Sequence, residues 1–188
     1  MIVLLLAALI AIPRAPRPSA TPAEPIQQQE LTDEELRERI KTYLGAIDRP
    51  VTAARWKALG PKAAPLLEAV IANEAEFPTI RAKAVDGLAA AAPDRAAELV
   101  GTLARDEKQP VVVRVAALHG AAQVLPSQRT VSELRPVLRS AKSAGLRAEA
   151  AEVLSRKRGG CTEVRDQVAR ERAEHREAFQ RALKRCGE

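Results

Sequence analysis

The chain has 188 residues, a formal net charge of +6 and 37 alanines, whereas aromatic residues make up only 2% of it. Alanine, leucine and the long charged residues favour helices, and strands require β-branched and aromatic residues. The composition therefore excludes a collagen-like chain, a small disulfide-rich protein and a protein with many membrane spans, and it predicts an all-α fold.

The N-terminal segment contains an uninterrupted apolar run of eleven residues from Ile2 to Ile12. As a helix, such a run measures about 16 Å, roughly half the hydrocarbon core of a bilayer, so it is too short to span a membrane. It predicts a signal peptide over residues 1–23, with an apolar tail packed on the domain as the alternative. Prolines predict a disordered leader over 24–32. The predicted location is the periplasm or the outside of the cell.

A period of 33 residues runs through the rest of the chain. An aliphatic residue followed by arginine recurs at 80–81, 113–114 and 146–147, and a weaker fourth copy runs from Val51 to Leu59. Each copy follows a second apolar stripe, as in Leu66, Leu67, Val70 and Ile71. Spacings of one, four and five residues match one face of a helix and do not match a strand.

The period predicts four antiparallel helix pairs and a last helical segment. Thr32 and Glu35 predict a capping box, Asp94 is a predicted N-cap, and Pro50, Pro78 and Pro110 mark the start of second helices. The predicted ranges are 33–47 with 50–59, 62–75 with 78–92, 94–106 with 110–125, 128–141 with 145–157, and finally 162–185.

The second helices resemble those of the HEAT-repeat family, in the segments "PTIRAKAVDGLAAA", "PVVVRVAALHGAA" and "AGLRAEAAEVL". The resemblance covers residues 33–157 and is that of a bacterial exported member. It implies a right-handed α-α superhelical solenoid of about four helix pairs. It also implies a turn aspartate ahead of the second-helix arginine, a place that Asp106 holds before Arg114. The tail is predicted separately, because its apolar residues recur every three or four positions, and this amphipathic spacing predicts a basic helical cap over residues 158–188.

The resemblance further implies that second helices line the concave side of the stack and face a partner. The exposed polar residues there would be Lys83, Asp86, His119, Gln123, Glu149 and Glu152. The sequence therefore predicts a non-catalytic scaffold that binds an unidentified protein partner, while an ordinary solvated surface is the simpler alternative. A second alternative is a HEAT-like enzyme that acts on nucleic acid or a chromophore, either glycosylase-like or lyase-like. A third is that the charged tail is the functional element.

Motifs of catalysis and cofactor binding are not evident. The sequence contains no phosphate-binding loop, no H-E-x-x-H and no G-x-S-x-G. The spacing of His119, His175, Cys161 and Cys186 matches no zinc module. We therefore expect no catalytic residue, no cofactor and no metal.

Charge is concentrated at the carboxyl end. Residues 24–155 carry 18 basic and 18 acidic side chains, and residues 156–188 carry ten basic and six acidic ones. Interspersed acids, predicted export and few aromatic residues argue against nucleic acid as the partner.

The two cysteines, Cys161 and Cys186, predict one disulfide in an exported chain. In one straight helix their Cα atoms would lie about 37 Å apart, far beyond the roughly 4.4–6.8 Å that a disulfide allows. The bond therefore predicts a helical hairpin with a turn near Glu171–Glu174. The alternative is two free or separately paired thiols at the ends of a long helix.

Overall fold

The structure, a computed structural model, describes residues 31–47 and 50–187. Every regular element in these ranges is helical, which confirms the all-α prediction for the described residues. The signal-peptide prediction and the leader prediction, except for Leu31 and Thr32, lie outside them. The α-helices are α1 Asp33–Gly45, α2 Ala53–Lys57, α3 Ala64–Ala72, α4 Pro78–Ala91, α5 Pro93–Arg105, α6 Val111–Val124, α7 Ser127–Ser140, α8 Ala144–Leu154, α9 Gly160–Arg170 and α10 Gln180–Arg185. Two 3-10 helices, Pro61–Ala63 and Ala173–Phe179, precede α3 and α10.

Helix starts follow the sequence signals in most places. Thr32 and Glu35 form the predicted capping box of α1, α4 begins at Pro78, and Pro110 is the N-cap of α6. Two signals were misplaced. Asp94 lies inside the first turn of α5, because Pro93 already occupies the first helical position. The N-cap of α2 is Thr52, two residues after Pro50, so this helix is shorter than predicted.

Packing contacts follow the order of the chain. Helices α3 and α4, α5 and α6, and α7 and α8 pack as pairs. The second helices also pack in series, α2 on α4, α4 on α6, α6 on α8 and α8 on α10. Among the first helices, α5 packs on α7 and α7 on α9. The second helices α4, α6 and α8 therefore each contact helices on several sides.

Small residues make this close packing of the second helices feasible. Ala84, Ala117 and Ala150, which share the 33-residue spacing, are fully buried. A Cβ atom at Gly87 of α4 would approach the ring of Trp56 to 2.9 Å, closer than real Cβ atoms come to other atoms. The alanine excess therefore reflects helices that approach one another closely, and Gly87 lets the indole of α2 lie on α4.

The recurrent arginines connect the two helices of each pair. Arg81 Nε donates to the carbonyl oxygen of Ile71 at 2.8 Å, and Arg114 Nε donates to that of Ala104 at 2.9 Å. Arg147 repeats this contact through Nη1, at 2.6 Å from the carbonyl oxygen of Ala141. Carbonyl groups in the last turn of a helix lack intrahelical donors and carry partial negative charge, so each arginine stabilises the end of the preceding helix.

The carboxyl segment folds back as the cysteine geometry required. Helix α9 ends at Arg170, and the backbone turns at Glu171, which is the C-cap. The sulfur atoms of Cys161 and Cys186 lie at disulfide distance, 2.08 Å, with the Cα atoms 5.5 Å apart. Phe179, at the end of the 3-10 helix in the returning segment, is fully buried, and that 3-10 helix packs on α8. Residues of this segment therefore extend the core beyond α8.

Among residues 31–47 and 50–187, no helix has both the length and the apolar character that crossing a bilayer requires.

Candidate functional site

The six residues predicted to face a partner, which we call the second-helix row, lie on three consecutive second helices. Lys83 and Asp86 belong to α4, His119 and Gln123 to α6, and Glu149 and Glu152 to α8. Asp86, His119 and Glu152 are each 33 residues apart. Because α4 packs on α6 and α6 on α8, side chains at matching positions of these helices come close together.

His119 and Glu149 form the direct contact across two of these helices. His119 Nε2 lies 2.7 Å from Glu149 Oε1, and the histidine side chain is half exposed. An imidazole that bonds to a carboxylate is held in one orientation and gains a stabilising partner when it is protonated. The pair therefore joins α6 to α8 on a surface that solvent reaches.

Asp86 lies on the preceding helix, close enough to His119 for the two side chains to interact electrostatically. The residue is exposed, but the surrounding protein still removes much of the water that would solvate its carboxylate. This desolvation raises the pKa of the Asp86 carboxyl to about 6, although the nearby His119 acts in the opposite direction. Asp86 therefore exchanges its proton at a pH well above that of an ordinary aspartate.

Replacing Asp86 with asparagine is expected to stabilise the fold above pH 6. The expected gain is at most about 1 kcal/mol, because water partly screens the charge at this exposed position. The folded state favours the protonated carboxyl, so stability falls as pH rises from 3.8 towards 6 in the natural chain. Asparagine removes this loss, and the difference vanishes below pH 3.8. Urea unfolding of the natural chain and of the Asp86→Asn chain, at pH values from below 3.8 to above 6, measures the difference in stability. Identical pH profiles would contradict the prediction.

Lys83 and Gln123 are engaged by the backbone of neighbouring helices. Lys83 Nζ donates to the carbonyl oxygens of Leu44 at 3.0 Å and Ala46 at 2.6 Å, so it stabilises the carboxyl end of α1. Gln123 Nε2 donates to the carbonyl oxygen of Ala89 at 3.3 Å. These two side chains hold helices together and leave fewer donors for a partner.

Glu152 is buried at the carboxyl end of the row. Its Oε1 accepts hydrogen bonds from Arg156 Nη2 at 2.7 Å and from Arg185 Nη2 at 3.1 Å. Burial raises the pKa of the Glu152 carboxyl, but the hydrogen bonds and charges of Arg156 and Arg185 outweigh it, so the pKa lies below its ordinary value. The carboxylate is therefore ionised, and its Oε1 joins α8 to α10 through Arg185, while its buried Oε2 has no hydrogen-bond partner among the described residues.

Arg185 continues the row and was not identified in advance. It lies 33 residues after Glu152, so the spacing of Asp86, His119 and Glu152 extends into the tail. That spacing is the sequence signal that indicates Arg185, which lies beyond the predicted repeat range of 33–157. Arg156 and Arg185 therefore belong with the row, although they serve to neutralise Glu152.

A small cleft borders the row at its amino end. It has a volume of about 160 Å³ and is lined in part by Tyr43, Trp56, Lys83 and Asp86. The rings of Tyr43 and Trp56 meet edge to face, with centroids 5.1 Å apart. Nowhere in the described ranges do three or more histidine, cysteine, aspartate or glutamate side chains converge on a metal-sized position.

The turn aspartate implied by the resemblance is engaged locally. Asp106 accepts hydrogen bonds from the backbone of Lys108 at 3.0 Å and from Gln109 Nε2 at 3.1 Å. Gln109 in turn accepts a bond of 2.6 Å from Arg81 Nη2, so the arginine of one pair contacts the turn of the next. Backbone and side-chain hydrogen bonds lower the pKa of Asp106.

Comparisons with family models, with curated proteins and with solved structures give no match for this chain.

Proposed function

We propose that the chain is a HEAT-like right-handed α-α superhelical solenoid of about four helix pairs with a carboxyl-terminal cap. In this proposal it is a non-catalytic scaffold of the periplasm or the cell exterior, and it binds a protein partner through the second-helix row. The serial packing of α2, α4, α6, α8 and α10 supports a solenoid, because repeat proteins stack each helix pair on its neighbours.

One observation carries the binding proposal. Asp86, His119 and Glu149 come from three consecutive second helices, each is at least partly accessible, and none is needed to cap a helix end. Together they form a polar surface that extends across repeats. Repeat proteins use such extended surfaces to bind other proteins. Lys83 and Glu152 contribute less to binding, since their charged groups are held by α1 and by two arginines.

The experiment first identifies the partner by crosslinking and mass spectrometry in the native compartment. The chain with Asp86, His119 and Glu149 all replaced by alanine is then compared with the natural chain for recovery of that same partner. We expect recovery to fall at least about tenfold, the effect of losing roughly 1.4 kcal/mol of binding free energy. Thermal unfolding checks that both chains are folded.

The matched control replaces three exposed residues of the first helices, Asp94, Glu98 and Gln128, with alanine. It removes the same number of polar side chains from a different surface, so partner recovery is expected to stay unchanged. Equal recovery with the natural chain and with the variant of Asp86, His119 and Glu149 would remove the proposal.

The proposed compartment rests on the apolar amino terminus and on the cysteines at disulfide distance, which suit an oxidising environment. The intact mass of the protein from its own cells tests this, and loss of residues 1–23 is the expected result. A cytoplasmic, uncleaved product would contradict export and would favour the enzyme alternative.

A further inference from the structure

An apolar groove lies between α1 and α3, and none of the six residues of the second-helix row lines it. Its volume is about 550 Å³, and its floor and walls include Ile40, Leu44, Leu66, Val70 and Ile80. We call it the α1–α3 groove. Packing of α1 on α4 leaves this space open. An apolar groove that stays exposed to water costs free energy, which a bound apolar group recovers.

Phe77 lies at the edge of the same groove and points its ring to solvent. It is the N-cap residue of α4, and 74% of its surface is exposed. Phenylalanine is among the residues most often buried, and aromatic residues including phenylalanine are enriched in protein–protein interfaces. A protruding aromatic ring and an apolar groove therefore lie side by side on one surface.

The two edges of the groove carry opposite charges. Arg37 and Lys41 lie on the α1 edge, and Glu76 lies on the edge formed by the turn between α3 and α4. Among the described residues, Arg37 pairs with Glu34 at 3.5 Å and Lys41 with Glu38 at 3.8 Å, both on α1 and both exposed, and such pairs contribute little free energy. Both basic groups are therefore available to an acidic group on a docked surface.

If two copies were related by a two-fold axis, the exposed ring of each copy would meet the groove of the other, and edges of opposite charge would face each other. In a symmetric dimer the same patch of both copies is in contact, so residue i of one faces residue j of the other and the reverse. If the two-fold axis passes through the groove perpendicular to the surface, Phe77 of each copy reaches the groove of the other. The basic α1 edge of each then faces the partner's Glu76. A second copy would thus meet an apolar groove with an exposed ring, and edges of opposite charge with one another.

We propose that the α1–α3 groove is a self-association surface, occupied by Phe77 of a second copy of this chain. The dimer uses none of the six residues of the second-helix row, so it goes beyond the proposed function and does not depend on it. It presents two second-helix rows in one particle. Two linked binding surfaces raise the apparent affinity for a partner that has two sites.

Sedimentation of the full chain over a range of concentrations tests this proposal. We expect a reversible monomer–dimer equilibrium, and Phe77→Ser is expected to weaken it about tenfold or more, because the variant removes the central apolar contact. Val111→Ser is the matched control, since Val111 is also an exposed apolar residue near the start of a second helix but lies outside the groove. It is expected to leave the equilibrium unchanged.

Charge-reversal variants test whether the basic α1 edge of one copy faces Glu76 of the other. Lys41→Glu and Glu76→Lys are each expected to weaken self-association of the purified variant, because like charges then meet across the axis. Mixing the two variants is expected to restore a dimer, since every facing pair then has opposite charges. Circular dichroism and melting curves check that each variant is folded.

Three outcomes overturn the proposal. A chain that stays monomeric up to about 1 mM would overturn it, because a dissociation constant above that value corresponds to a binding free energy weaker than about 4 kcal/mol. A dimer that is unaffected by Phe77→Ser and by both charge reversals uses another surface. A monomer in which crosslinks place the apolar run Ile2–Ile12, or another protein, in the groove assigns the groove to that occupant.

Discussion

Replacing Arg147 with methionine is expected to lower the free energy of unfolding by about 3–5 kcal/mol. Arg147 Nε lies 2.9 Å from one carboxylate oxygen of Glu171 and 3.1 Å from the other, and Arg147 Nη2 contacts the same carboxylate. Glu171 is buried, with 5% of its surface exposed. Methionine fills a similar volume but leaves the carboxylate charge buried without its cation, which is the costly part of breaking such a pair.

Unfolding in urea measures this effect, and two further variants locate its cause. Adding Glu171→Gln to the Arg147→Met chain is expected to recover part of the loss, because it removes the uncompensated charge. Arg95→Met is the matched control on an exposed pair with Glu68, whose oxygen lies 2.8 Å away, and it is expected to cost less than about 1 kcal/mol. Equal losses from Arg147→Met and Arg95→Met would show that burial of the pair is unimportant.

The same pair gives stability a defined pH dependence. The hydrogen bond from Arg147 lowers the pKa of the Glu171 carboxyl below 4.5, although burial opposes it. A group whose pKa is lower in the folded state adds stability above its unfolded pKa. That stability is lost as pH falls below 4.5 through the folded pKa. The Arg147→Met chain should therefore have a flatter acid profile than the natural chain.

Replacing Cys161 and Cys186 together with serine is expected to lower the free energy of unfolding by about 3 kcal/mol, the effect of releasing a loop of this length in the unfolded chain. The closed loop spans 25 residues and contains all of the Ala173–Phe179 turn. Because α8 packs on both α9 and α10, the loss should appear as lower stability of the whole cooperative unit. Urea unfolding with and without reductant provides the measurement.

Reaction with a thiol reagent distinguishes a disulfide bond between Cys161 and Cys186 from two free thiols that are merely close together. The native exported protein is expected to react only after reduction, and the doubly substituted chain is expected to be insensitive to reductant. Replacing Ser140 with alanine gives a control at an exposed residue outside the loop, and its stability should stay unchanged within about 0.5 kcal/mol. Two reactive thiols in the native protein would contradict the prediction.

Much of the helical layout was predictable because it depends on local signals. The 33-residue spacing and the prolines placed α4 at 78–92, and the structure has it at Pro78–Ala91. Where the prediction erred, a competing local signal decided the result, as when Pro93 displaced Asp94 from the helix cap. The turn at Glu171 was different, since no glycine or proline marks it and only the cysteine geometry indicated it.

The candidate site was predictable as positions but not as contacts. Periodicity assigned Lys83, Asp86, His119 and Glu149 to second helices, and the structure has them there. Their partners depend on how helices far apart in sequence pack together. Lys83 thus contacts the end of α1, 37 and 39 residues earlier, and His119 contacts Glu149, 30 residues later.

By itself, the sequence determined the helical class and the bounds of most helices to within a few residues. These properties follow from composition and from spacing along single helices, which are local. Only the tertiary structure decided that the recurrent arginines hold helix ends, that Glu171 turns towards Arg147, and that Phe77 remains exposed beside an open groove. Those outcomes depend on distances between separate helices, and packing of the whole chain sets those distances.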